Sequence, residues 1–154
     1  MIVIIRHGQA DSPAYSDRNR RLTEKGRADA AARGRQLASS GRGHFDIAMV
    51  SPYIRALETL DELKGSLEIG HVQITDELVP NASSEVSDFL RYLDESGKHV
   101  LAVTHMPLAG LLVNDLCGPA AMGTFDPGDY YVLEKKPGSE LYSVTCTTNS
   151  FSLM

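Results

Sequence analysis

IIRHGQA, residues 4–10, carries an apolar run straight into an arginine, a histidine and a glycine. Ile2–Ile5 reads as a short buried strand, because an unbroken apolar run suits a strand covered on both faces. Such a strand has little reason to end in a cation and an imidazole side by side unless that end is used. In open parallel sheets, ligands bind outside the carboxyl ends of the strands. The reading therefore turns on whether other strands end in the same way.

Two others do. DIAMV (46–50) is a second apolar strand. Ser51-Pro52 after it reads as an N-cap and first helical position, with a helix through Leu63 and Arg55 one turn in. HVLAVT (99–104) is the third strong strand, followed at once by His105. Pro107 then starts an apolar helix through Leu116, which Gly118-Pro119 ends. Between these lie a helix over 23–39, a small strand at Val72–Ile74 and a helix from Ser83 or Ser84 to about Glu95. In the 23–39 helix, Thr23 is the expected N-cap, with Ala28, Ala31, Ala32 and Leu37 facing inward. In the helix ending near Glu95, Val86, Phe89, Leu90 and Leu93 share one side. Tyr130–Glu134 and Leu141–Thr147 look like an antiparallel pair at a sheet edge, and Gly118–Gly128 is a loop. Strands alternating with helices imply a mostly parallel sheet covered on both faces.

The whole chain sets wider bounds. Its 154 residues, 42% of them apolar, suit one compact domain over 1–154, and no linker divides it. The net charge of −5 gives no global basic field for nucleic acid. The N-terminal apolar run is too short for a signal peptide, and no run reaches the roughly 20 residues of a membrane span. The expectation is no membrane association and a cytoplasmic location. Cys117 and Cys146 match no redox or zinc spacing and read as thiols in or near the core.

If the three strands are neighbours, Arg6, His7, Arg55 and His105 converge at one sheet end, where helix starts add backbone N–H groups. That is a pocket for a dianion, and the expected one is a phosphoryl group. Arg6 offers a planar fork matched to phosphate oxygens, and Gly8 lets backbone approach a ligand. A neutral His7 with its other ring nitrogen held by a hydrogen bond can attack phosphorus. Taken singly, each residue has a plainer reading: a solvated Arg-His pair, a satisfied core histidine at 105, a surface arginine at 55. Their shared placement favours the joint site. No acidic residue stands at ligand spacing from either histidine, and arginines repel cations, so no metal or other cofactor is expected. His44, His71 and His99, at element starts or in loops, read as structural or solvated.

These residues resemble the RHG signature of the histidine phosphatase superfamily, and more narrowly its bacterial SixA-type group. The resemblance rests on IIRHGQA (4–10), RRLTEKGR (20–27), MVSPYIRALETL (49–60), DELVP (76–80) and VTHMPLAGLLVNDLC (103–117), in family order. It implies an α/β fold of three layers, an α/β/α sandwich around a mostly parallel sheet, as in phosphoglycerate mutases. It implies catalysis through an enzyme phosphohistidine, with His7 as nucleophile and Arg6, Arg55 and His105 clamping the phosphoryl group. Arg20 matches a further basic residue near the pocket. Many phosphomonoester-cleaving relatives protonate the leaving group from a carboxylic acid; Glu77 is the nearest candidate for that acid by position, and it reads equally as a surface acid.

The expected function is a monomeric phosphohistidine phosphatase acting on a histidine phosphotransfer domain or a sugar-phosphotransferase component. A phosphoramidate needs less acid assistance than an ester. The short stretch from Pro52 to Asp76 leaves little room for a lid, so a shallow open pocket is expected. A small-molecule phosphomonoesterase of the same superfamily is the alternative. A mutase, or a non-catalytic phosphate-binding module, fits less well.

Overall fold

A computed structural model describes residues 1–12, 16–121 and 123–148. Met122, in the expected 118–128 loop, lies outside them. Six strands form one sheet: β1 (Ile2–Arg6), β2 (His44–Val50), β3 (Glu68–Ile74), β4 (Val100–Thr104), β5 (Tyr130–Glu134) and β6 (Ser143–Thr147), in the order β3-β2-β4-β1-β5-β6. The pairs β3·β2, β2·β4 and β4·β1 are parallel; β1·β5 and β5·β6 are antiparallel.

Both faces are covered. Ile2 and Ile4 of β1 pack with Val100 and Ala102 of β4 against α3 (Val86–Glu95) and α4 (Leu108–Cys117). Val3 and Ile5 pack with Leu101 and Val103 against α1 (Glu24–Ser39) and α2 (Ile54–Leu63). Successive side chains of a strand point to opposite faces, so two covered faces demand the unbroken apolar runs seen in β1 and β4. The result is the expected three-layer α/β/α sandwich. None of the described helices is long and apolar enough to cross a membrane.

Several local expectations are corrected. The inner face of α1 is Gly26, Ala30, Gly34 and Leu37; Ala28 is exposed. The helix lies too close to its neighbours for side chains along that line. A Cβ on Gly26 would stand 2.1 Å from the Gln9 carbonyl oxygen, and one on Gly34 would stand 3.1 Å from that of Leu63. Helix α2 begins at Ile54 rather than Pro52 because Ser51 is engaged elsewhere, as described below. In α3, Phe89 is exposed and Ser87 is buried in its place. Strand β3 is longer than expected, and exposed His71 lies within it rather than in a loop. Both cysteines are free and partly buried.

Candidate active site

The register of the sheet brings the strand ends together. Arg6 is the parallel partner of Thr104, and Val50 that of Val103. The next residues stay in step: the His7 N–H donates to the Thr104 carbonyl at 3.0 Å, and the Ser51 N–H to that of Val103 at 3.1 Å. His7, Ser51 and His105 thus emerge side by side. Arg55 comes up beside them from the first turn of α2.

His7 is 6% exposed, and its proton can be placed from its partners. Nδ1 lies 2.7 Å from the Gly8 carbonyl, which only accepts, so Nδ1 carries the hydrogen. Arg55 Nε donates to Nε2 at 3.2 Å, so Nε2 holds the lone pair. Burial pushes the His7 pKa down to about 4; the Gly8 hydrogen bond opposes this, and the charges of Arg55, Arg6 and Arg20 reinforce it. The imidazole is therefore neutral at pH 7, with a bare nitrogen facing a guanidinium.

His105, 1% exposed, lies with its ring centroid 5.1 Å from that of His7. Its Nε2 is 2.8 Å from Ser51 Oγ. Ser51 Oγ also accepts from the Tyr53 N–H at 3.2 Å, so its own proton can go to His105, leaving the ring hydrogen on Nδ1. Burial, then the neighbouring His7 and Arg55, push the His105 pKa down to about 3. His105 Nδ1 and Arg6 Nε are buried and have no protein partner, whereas Arg6 Nη1 donates to the Phe125 carbonyl at 2.8 Å. Buried donors without partners are costly unless an anion or solvent meets them.

The structure accounts for further residues of the sequence segments. Gly8 donates its N–H to Thr59 Oγ1 at 3.0 Å, and Thr59 Oγ1 donates to the Arg55 carbonyl at 2.7 Å. The bare Cα of Gly8 faces the Gly26 carbonyl oxygen, which an added Cβ would meet at 2.8 Å. The glycine is thus required by packing against α1. Thr23 caps that helix, accepting from the Gly26 N–H at 3.0 Å. Glu58 accepts from the Leu22 N–H at 2.9 Å and pairs with Arg21 and Arg27. These contacts fix α1 and α2 against the loop after β1.

Three residues at the site escaped the sequence. Asp17, in a one-turn helix at Asp17–Asn19, pairs with both Arg55 and Arg20. Tyr53 lies under the Arg55 guanidinium at 5.0 Å and sets its edge against His105. Ser51, expected as a helix cap, holds His105. A serine directly after an apolar strand was the one available signal; Asp17, within a polar run, offered none. Arg20 donates from Nε to the Asp11 carbonyl at 2.6 Å, and its charge reaches both Arg6 and His7. Glu77 is exposed and makes no hydrogen bond or ion pair to Arg6, His7, Arg55 or His105. Its neighbour Leu78 accepts from Thr104 Oγ1 at 2.7 Å, so the segment does abut the end of β4. Arg55, 4% exposed, is covered on its outer side by Asp17. Among the described residues, no cluster of three or more His, Cys, Asp or Glu side chains is arranged to hold a metal ion.

Residues 2–80 match the model of the histidine phosphatase superfamily, branch 1. The chain belongs to that superfamily. Within it, the chain is 34% identical over 135 residues to the phosphohistidine phosphatase SixA homolog of Haemophilus influenzae, covering 82% of each chain. It is also 34% identical over 122 residues to phosphohistidine phosphatase SixA of Escherichia coli, covering 75% of this chain and 73% of that one. A solved structure of the protein histidine phosphatase SixA complexed with tungstate superposes with a TM-score of 0.88 at 27% identity, over 99% of both chains. These likenesses place the chain in the SixA-type group. It is a histidine phosphatase superfamily hydrolase with a histidine nucleophile.

Proposed function

We propose that His7 is that nucleophile and that the protein hydrolyses phosphohistidine on a phosphotransfer protein. The observation that carries this reading is the state of His7: neutral, with its hydrogen tied to Gly8 and its lone pair on Nε2. Nε2 attacks phosphorus as the substrate's N–P bond breaks. The bond electrons return to the substrate ring, which leaves as neutral imidazole when its other nitrogen already carries a proton. Water then cleaves the Nε2–P bond and releases inorganic phosphate.

Arg55 moves its Nε donation from the His7 lone pair to a phosphoryl oxygen. Arg6 Nε and His105 Nδ1 supply two further donors, and Arg20 adds field. Preplaced donors of this kind do most of the work in phosphoryl transfer. Glu77 stands apart from the four, which suits a substrate whose leaving nitrogen needs no acid from the enzyme. The relatives named as phosphohistidine phosphatases support the same substrate class.

The test is phosphate release from a phosphohistidyl transfer protein beside a panel of alkyl and sugar phosphates. Release from the phosphohistidyl protein alone is expected. Comparable release from small esters would favour the phosphomonoesterase reading and make Glu77 the next residue to replace.

A further inference from the structure

The loop after β1 delivers an anion to the same guanidinium that the clamp requires. Arg55 Nη1 donates to the Asp17 carbonyl oxygen at 2.7 Å, and Nη2 to Asp17 Oδ2 at 3.1 Å. Arg20 Nη1 donates to the other carboxylate oxygen at 3.1 Å. Burial would push the Asp17 carboxyl up, but the hydrogen bonds from Arg20 and Arg55 outweigh it and hold the group below the usual carboxylate range. The Asp17 side chain is 55% exposed, whereas that of Arg55 is 5% exposed. The carboxylate therefore stands on the solvent side of a buried guanidinium whose other edge touches His7 Nε2.

We propose that Asp17 is a specificity-determining residue that selects substrates by the charge of the leaving group. It competes with the phosphoryl group for Arg55 and favours a donor whose leaving group is cationic while still bonded to phosphorus over one whose leaving group is neutral or anionic there. This rests on the phosphohistidine reading above.

The physical argument is electrostatic. Every phosphoryl dianion entering the site is repelled by the fixed Asp17 charge, and free phosphate and phosphate esters bring no positive charge of their own to offset that repulsion. An ester's leaving oxygen also gains negative charge as its bond breaks. A phosphorylated imidazole with a proton on its other nitrogen brings a positive ring and an N–H donor. The exposed carboxylate oxygens can accept from that N–H. As the N–P electrons return to the ring, the cation becomes neutral imidazole, and no proton is needed from the enzyme. An aspartate that is kept ionised is a poor acid and a good counter-charge, which matches this role and not that of proton donor.

The experiment compares wild type with Asp17→Asn and Asp17→Glu. It measures inhibition by inorganic phosphate, and kcat/KM on a phosphohistidyl transfer protein and on p-nitrophenyl phosphate. In Asp17→Asn, phosphate should bind about tenfold more tightly, and the preference for phosphohistidine over the ester should fall about tenfold or more. Asp17→Glu should keep the wild-type preference. If both substrates change by the same factor, Asp17 only positions Arg55 and the proposal is overturned. A wild type inactive on phosphohistidine overturns the reading above and this proposal with it. An active wild type whose preference survives Asp17→Asn overturns this proposal alone. Asp17→Ser gives the same comparison if the asparagine variant does not fold.

Discussion

The sheet has two parts built on different rules. In the parallel part, β3-β2-β4-β1, every carboxyl end points the same way, and each crossover helix starts there. In the antiparallel part, β5 runs back along β1 and β6 returns along β5. The first arrangement collects side chains from three strand ends into one place. The second collects none; the turn leading into β5 only closes the side of the site. The Gly128 N–H donates to the carbonyls of Arg6 and His7, at 3.1 and 2.9 Å, and the Arg6 N–H donates to Asp129. Chemistry thus follows strand polarity, and the edge strands supply cover.

The sharpest way to break this comparison is to remove one group from the parallel part. His7→Ala should lower turnover by roughly 10⁴-fold or more, as loss of a covalent nucleophile does. The variant should also fail to form the acid-labile phosphoenzyme that a quenched reaction with wild type contains. Turnover within about tenfold of wild type would remove His7 from the mechanism.

A second contrast uses one substitution in both parts. At Gly26 a new Cβ meets the Gln9 carbonyl oxygen at 2.1 Å, so α1 or the loop carrying His7 must shift. Gly26→Ala should cost about 3 kcal/mol of stability, the upper range for overpacking, and should lower kcat as well. Gly138, in the β5–β6 turn, has φ 83° and nothing within 4 Å of a new Cβ. Gly138→Ala should cost only the backbone term, about 1 kcal/mol, with kcat unchanged. Urea midpoints of the two variants, read beside their phosphate release, decide it; equal costs would mean that the close approach at Gly26 is not what holds the loop.

Acid should also act on the parallel part first. Burial lowers the pKa of His7 to about 4 and of His105 to about 3 in the folded protein. An unfolded histidine titrates near 6.5. The folded state therefore binds fewer protons between these limits, and stability falls as pH falls. The contribution is full above about pH 6.5 and is lost as pH drops toward 4 and then 3. No histidine lies in 130–147, so the antiparallel part has no such term. The urea midpoint should drop between pH 7.5 and about 5.5, above the range where lowered carboxyls begin to titrate. A flat midpoint would mean that the two imidazoles are not held neutral by the fold.

The parts differ in the same way in how openly the sequence announces them. Doubly covered strands must be apolar throughout, so β1, β2 and β4 stand out, and the residues following β1 and β4 name His7 and His105 without further help. Tyr130–Glu134 is legible for the same reason. What stays hidden depends on partners distant in sequence. The inner face of α1 runs through two glycines because Gln9 and Leu63 lie against it, and composition alone points to its alanines. Ser51 leaves its capping role because His105 needs a partner. Asp17 lies in the run Ser16–Arg21, where nothing marks which of five charged or polar neighbours turns toward Arg55. Glu77 was reached by position alone, and its exposed carboxylate lies outside the hydrogen-bonded group.

The smallest expected effect belongs to the outer edge. Val144 on β6 pairs with Leu133 but is exposed, with no further strand beyond it in the sheet among the described residues. Val144→Thr keeps the branched shape that strands favour and adds a hydroxyl that water can satisfy. Stability should move by no more than about 0.5 kcal/mol, and kcat/KM on the phosphohistidyl protein should be unchanged. The same exchange at Val103 on β4 buries the hydroxyl beside Ile5 and Leu60 in a fully covered layer, so its cost should be clearly larger. If the two valines responded alike, the edge would be carrying as much of the fold as the strands whose ends build the site.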